Sequence, residues 1–418
     1  MQGAAQAMPR HMTEHRITRL GHQGDGIAAG PVFAPMTLPG EVVTGTQNGD
    51  RLSDIRIVKP SSDRVAPVCR HYRACGGCQV MHATDEFVAG WKTDIVRTAL
   101  EAQGIAAAFR PIQTSPPASR RRAAFSVRRT KKGAMAGFHA RASDTVIGIP
   151  DCQLVLPELL EALPLAEALA VAGGSRKGEL TVQVTQSEGG LDVLVTGGKP
   201  LDGPLRMALA AEVERFRLAR LVWEDELVGM RLPPVQRFGH ARVTPPPGAF
   251  LQATAAGEAA LLAAVAEAVQ GTTRIADLFA GCGTFALPLA EHAEIHAVES
   301  DAAMLKALDQ GWRQAEGLKR VSTEARDLFR RPLLPDELKR FDAVVIDPPR
   351  AGAEAQVTEL AKTRISRIAF VSCNPVTFAR DAKILISGGY RLEWVQVIDQ
   401  FRWSNHVELA AAFSAADI

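Results

Sequence analysis

From residue 250 onward, this 418-residue sequence predicts an α/β domain built on a mostly parallel sheet with helices on both faces. A central α+β region and a small amino-terminal β-barrel precede it. Three observations carry the prediction. After residue 250, short apolar runs alternate with helix-length segments, the pattern of strands joined by crossover helices. Residues 14–60 hold short β-type runs cut by glycines and other turn residues, as in a small barrel. Between these two parts, helical and strand patterns mix after a group of three cysteines.

Composition sets the outer bounds. With 46% hydrophobic and 22% charged residues, the chain has ample core for two to three domains. The formal net charge of +2 points to no class of partner by itself. Six cysteines, unevenly placed, are too few for a secreted disulfide framework and fit a reducing cytosol with metal-binding or catalytic thiols. Met1 to His15 has no apolar run of signal-peptide length. Glu258 and Glu267 interrupt the alanine-rich stretch Ala255 to Val269, which reads as an amphipathic helix instead of a membrane span. A cytoplasmic protein without a membrane is expected.

Along the chain, the barrel occupies 1–62 and ends in the linker KPSSDRVAP. The central region, 63–245, opens with Cys69, Cys75 and Cys78. Apolar residues at helical spacing, Trp91 among them, predict a helix over about 84–103, and the part 84–110 is a candidate to pack on the last domain. Residues 110–141 contain nine lysines and arginines and no acid, so the balanced net charge hides a local basic surface. Alternation around Ala123 to Val127 predicts a strand carrying some of these arginines. A leucine-rich helix near 157–170, the strands LTVQVT and LDVLVTG, and a further helix follow. TPPPGAF at 244–250 marks the boundary to the last domain, 246–418. Its strands are RIADLFAG, EIHAVES, FDAVVIDPP, RIAFVSCNP and HVELAAAF.

The motifs at the ends of these strands carry chemistry. DLFAGCGTF, 277–285, runs from a strand into a helix, and Gly281 and Gly283 allow a tight turn and close approach of a ligand. Glu299, 18 residues past Gly281 at the end of the next strand, is placed to grip two ribose hydroxyls. DPPR, 347–350, ends a later strand. Together these resemble a class I methyltransferase and not a dehydrogenase. Arg350 stands where amino-methylating enzymes carry an aromatic residue, which disfavours amino-group methylation. Cys373 in SCNP also ends a strand and points toward the cofactor crevice. A thiolate adding to carbon 6 of a uracil makes carbon 5 nucleophilic toward a methyl sulfonium, which requires a thiol of lowered pKa. A base must then remove the carbon 5 proton. Glu408, inside the apolar run HVELAAAF, is the first candidate, with Asp399 and His406 as alternatives.

These residues resemble the RNA uracil-5 methyltransferases, in particular the iron–sulfur branch acting on 23S ribosomal RNA, over most of the chain. The resemblance implies that Cys373 is the nucleophile and Glu408 the base. Contacts to S-adenosylmethionine would fall on Gln252, Phe279, Thr284, Glu299, Asp327 and Asp347. It implies a 4Fe–4S cluster on Cys69, Cys75, Cys78 and Cys152; by spacing alone, zinc is the rival. The segment RRRAAFS matches the family's RNA-facing strand, so Arg120, Arg121, Arg122, Arg128, Arg129, Lys131 and Lys132 are expected to meet RNA. The barrel is similar to a shortened TRAM module. Thr284, Thr254 and Ser119 depart from the family pattern, which leaves the reaction type intact and opens the choice of RNA. The implied partner is RNA, 23S ribosomal RNA ahead of transfer RNA, and the implied state is a monomer. An RNA-binding module with a dead methyltransferase fold is disfavoured because Cys373, Glu408 and the cofactor acid are all present. A small-molecule methyltransferase is disfavoured because the barrel and basic strand serve no small substrate.

Overall fold

The structure is a computed structural model that describes residues 13–416. Five short strands, Glu14–Leu20, Gly26–Ala28, Val32–Ala34, Val42–Asn48 and Arg51–Lys59, close into a barrel, as the punctuated pattern predicts. The barrel encloses a small core of Ile17, Ala28, Val32, Ala34, Val43 and Leu52.

The central region folds around a seven-stranded sheet, with Arg122–Arg129 between Leu180–Ser187 and Ala134–His139. Alternation along Arg122–Arg129 turns Ala123, Phe125 and Val127 inward and leaves Arg122, Ser126 and Arg128 on the opposite face. The helices Ala162–Gly173 and Gly203–Arg215 close the core with Leu165, Leu169 and Leu209. The helix predicted near 157–170 is two helices, Pro157–Leu160 and Ala162–Gly173. Pro164 has no N–H to bond the Leu160 carbonyl, which favours a break ahead of it and leaves it in the first turn of the second helix, where no such bond is needed.

The last sheet has eight strands, in the order Val321–Ala325, Glu294–Glu299, Arg274–Leu278, Ala343–Ile346, Arg367–Ser372, Leu409–Ala415, Tyr390–Asp399 and Phe109–Thr114. The first five are parallel and Leu409–Ala415 is antiparallel to both of its neighbours. The eighth strand comes from far upstream and pairs parallel with Tyr390–Asp399. Its sequence, FRPIQT, buries no residue fully, so it has no apolar alternation to reveal it. The helix Asp85–Glu101, capped by the Thr84 hydroxyl, packs Val88, Trp91, Ile95, Val96 and Leu100 against one sheet face. Ala255–Ala268 covers the other face through Leu261, Ala264 and Val265. Among the described residues no helix is long and apolar enough to cross a membrane.

Candidate active site

A cavity of about 410 Å³ opens at the carboxyl ends of the parallel strands. The strand order reverses there, between Arg274–Leu278 and Ala343–Ile346, and ligands of open α/β sheets collect at such points. Gln252, Phe279, Thr284, Glu299, Asp327, Asp347, Cys373 and Glu408 all line it. So do Phe250, Met304 and Arg326, which the sequence reading does not single out, and Arg350, which it weighs only as a missing aromatic.

One half of the cavity is built by turns. Gly281 and Gly283 have φ of +54° and +95°, and Phe279 is held at +63°, a conformation that side-chain-bearing residues keep only where surrounding structure forces it. Glu299 locks the turn: its carboxylate accepts the Gly281 N–H at 3.1 Å and the N–H groups of Ser300 and Asp301. Asp327 accepts the Phe329 N–H at 2.9 Å, and the Phe329 ring lies 5.5 Å from that of Phe279. The result is an aromatic wall between two fixed carboxylates. Neither oxygen of the fully enclosed Asp277 carboxyl has a partner at good hydrogen-bond geometry among the described residues, although the Ala286 backbone N–H favours its charged form. Burial pushes its pKa up to about 8.

The other half holds the thiol and the acid. Cys373 follows the strand Arg367–Ser372, just before Asn374 caps the helix Pro375–Ser387. The expected lowering of its pKa is not found. Burial, then the Glu408 and Asp347 carboxylates, push the thiol up to about 11, with Arg350 as the opposing charge. Glu408 precedes the strand Leu409–Ala415 instead of lying inside it, although its carbonyl still accepts the Ile398 N–H at 2.8 Å. Its side chain is buried, and desolvation raises its pKa to about 7 against a hydrogen bond from Gln400 and the charge of Arg122. Of the two alternative bases, Asp399 is engaged elsewhere: Lys92 Nζ lies 2.6 Å away, both side chains are buried, and neither lines the cavity. His406 is exposed beside Phe401 and does not line the cavity either.

The family model described as tRNA (uracil-5-)-methyltransferase matches residues 211–415. An uncharacterized RNA methyltransferase of Brucella suis is 44% identical over 401 residues, which are 95% of this chain and 97% of that protein. The 23S rRNA (uracil(1939)-C(5))-methyltransferase of a Marinomonas species is 31% identical, with 94% of this chain and 92% of the relative covered. The chain belongs to the RNA (uracil-5-)-methyltransferase family. It is an S-adenosylmethionine-dependent RNA (uracil-5-)-methyltransferase. The crystal structure of the Pyrococcus abyssi tRNA (uracil-54, C5)-methyltransferase with S-adenosyl-L-homocysteine superposes with a TM-score of 0.75, covering 97% of this chain and 100% of that one. At 22% identity it shares the fold.

The four cysteines of this methyltransferase, Cys69, Cys75, Cys78 and Cys152, line one small apolar cavity with Tyr72, Met81, Phe138, Ile149 and Leu154. All four are free thiols. The sulfurs of Cys75 and Cys152 accept the N–H groups of Gly77 and Leu154, each at 3.4 Å. Among the described residues, no three His, Cys, Asp or Glu side chains are arranged to hold a single metal ion. The cysteine loop braces the segment that leads to Glu408: the Trp403 carbonyl accepts the N–H groups of Gln79 and Val80 at 2.8 and 3.0 Å.

The basic segment divides. Arg121 is a correction to the sequence reading: it is 9% exposed, paired with Glu258 and bonded to the Gln252 carbonyl, so it faces protein and not RNA. Arg122 stacks 4.2 Å over Phe250 at the cavity mouth, and its buried Nε has no partner among the described residues. Arg120 lies 6.0 Å over Phe401. Farther along, Arg128 pairs with Glu179, Arg129 reaches the Gly174 carbonyl, and Lys131 and Lys132 are exposed in the following turn.

Proposed function

We propose that this methyltransferase modifies a uridine of 23S ribosomal RNA, with Cys373 adding to carbon 6 and Glu408 removing the carbon 5 proton. The observation that carries the catalytic reading is the placement of Cys373 and Glu408 in one cavity with the glycine turn and Glu299. S-adenosylmethionine, held in that cavity by Gln252, Phe279, Thr284, Glu299, Asp327 and Asp347, supplies an electrophilic methyl on a positively charged sulfur. Cys373 sits between two carboxylates, so loss of its proton is favoured only when positive charge is near. Glu408, with a pKa near 7, holds enough basic form at neutral pH to accept the proton and release the thiol. Arg122 and Phe250 at the mouth suit a base lifted out of its stack, which the thiol can reach only outside a helix.

The reading of 23S ribosomal RNA is supported by the near-full-length likeness to the Marinomonas enzyme. The family model's description favours transfer RNA as the second reading. Mapping 5-methyluridine across both RNAs in a deletion strain separates them. Loss of a 23S position that returns with the wild-type gene is expected. Loss confined to transfer RNA overturns the first reading.

A 4Fe–4S cluster on Cys69, Cys75, Cys78 and Cys152 is the remaining proposal. The donor set fits, with four free thiols, an apolar lining and N–H groups aimed at two sulfurs. Zinc on the same four thiols is the second reading, and the metal content of protein purified without oxygen separates the two. Methyl transfer needs no electrons, so a structural role is proposed for it.

A further inference from the structure

Gln400 lies between the proposed base and the cofactor residues, and its hydrogen bonds have only one consistent polarity. It directly follows the strand Tyr390–Asp399 and is buried. Its Oε1 accepts the backbone N–H of Ala253 at 2.7 Å. A backbone N–H cannot accept, so this bond fixes which end of the Gln400 amide is oxygen. The other end carries two hydrogens, and two oxygens take them: Glu408 Oε2, and Gln252 Oε1 at 2.5 Å. With one lone pair of its oxygen taken by Gln400, Gln252 keeps both N–H donors of its amide for a ligand in the cavity that it lines. Asp399, immediately before Gln400, is pinned by Lys92 in a buried ion pair, so the backbone that carries the amide is itself fixed.

We propose that Gln400 is a positioning residue for methyl transfer: it occupies one oxygen of Glu408, presents the other to carbon 5, and ties the base to Gln252 at the cofactor end. The inference rests on the reading of Glu408 as base. Gln400 is the one group hydrogen-bonded to the Glu408 carboxyl among the described residues. An N–H donor favours the charged carboxylate and so opposes the desolvation that raises its pKa. The charged and titratable groups around Glu408 come from three other elements. Arg122, on the strand Arg122–Arg129, acts with Gln400. Asp347 and Cys373, at the ends of Ala343–Ile346 and Arg367–Ser372, act against it when ionised. Removing the amide therefore leaves Glu408 protonated over more of the neutral range. Oriented N–H groups from Gln252 select a ligand oxygen, a carboxylate or hydroxyl, at the same end.

The test is the pH dependence of adduct breakdown in single turnovers of the full chain with RNA and S-adenosylmethionine. Gln400→Glu keeps an acceptor for the Ala253 N–H and nearly the same volume, but places a second carboxyl beside Glu408, where both cannot ionise together. Its acid limb is expected to move up by about one pH unit or more. A methylated protein–RNA adduct should accumulate at pH 7, and KM for S-adenosylmethionine should rise. Gln400→Asn, which retains an amide too short to span Ala253 and Glu408, should move the limb in the same direction and serves if Gln400→Glu loses its cooperative melt. An unshifted limb with no adduct, in either variant that melts cooperatively, overturns the inference. Glu408→Gln run in parallel keeps the two ideas apart. If it turns over without adduct, the base reading fails. If it stalls while the Gln400 variants match wild type, only the role of Gln400 fails.

Discussion

Cys373 and Glu408 are separated by 35 positions in sequence yet meet because each stands where a strand of the same sheet meets the cavity. Their order of action gives different failures. Cys373→Ala should form neither adduct nor product. Glu408→Gln should add, transfer the methyl and stall as a methylated RNA–protein adduct that survives denaturing electrophoresis. Wild-type turnover by Glu408→Gln would transfer the role to another group. The sign of the pH dependence follows from Glu408. Its pKa is raised to about 7, and the basic form is the active one, so adduct breakdown should slow as pH falls through about 7. A rate flat from pH 6 to 8 contradicts this. Glu299 acts differently, because its carboxylate is already tied to the glycine turn. Glu299→Ala should weaken S-adenosylmethionine binding by roughly 1.5–3 kcal/mol in calorimetry, the scale for a hydrogen bond to a charged group.

At the scale of one element, the strand Arg122–Arg129 and the arginines before it show how pleating sorts a basic run. Arg121 turns into protein, where its guanidinium and the Glu258 carboxylate are 11% and 14% exposed. Arg121→Ala leaves that acid without its partner and should cost about 1–3 kcal/mol of stability, read as a lowered melting temperature. Arg120→Gln and Arg122→Gln should instead weaken RNA binding. The slope of log K against log salt should fall by up to about 0.7–0.9 for each phosphate that an arginine no longer neutralises. If Arg121→Ala leaves stability untouched but flattens the salt slope, the assignment of the run is reversed.

At the scale of the molecule, the last domain is completed by chain that precedes the central sheet. Phe109–Thr114 covers the edge of Tyr390–Asp399, and the helix Asp85–Glu101 covers one sheet face. A fragment of residues 246–418 would expose that edge and the apolar face, so it should aggregate and show no cooperative melt. A fragment that melts cooperatively and binds S-adenosylmethionine contradicts this. The cysteine loop is the second brace, through Trp403. Protein purified without oxygen should hold about four irons per chain. Cys69→Ser should lose them and loosen the 399–408 loop that carries Gln400 and Glu408. Stoichiometric zinc in anaerobic wild-type protein rules out the cluster.

The sequence by itself determined the elements whose signal is local. Apolar runs bounded by turns gave the barrel and five strands of the last sheet, and helical spacing over about 84–103 gave Asp85–Glu101. It also located DLFAGCG, DPPR and SCNP at strand ends, because each is a contiguous motif that follows an apolar run. What only the tertiary structure decided depends on partners distant in the chain. Phe109–Thr114 is an edge strand without alternation, visible only once Tyr390–Asp399 lies beside it. The raised pKa of Cys373 comes from burial and from Glu408 and Asp347, and the burial of Arg121 is matched by Glu258. Gln400 has no local pattern at all. Its meaning comes from an oxygen and an N–H near residue 252 and a carboxylate eight residues on, and folding alone brings these three within hydrogen-bond reach.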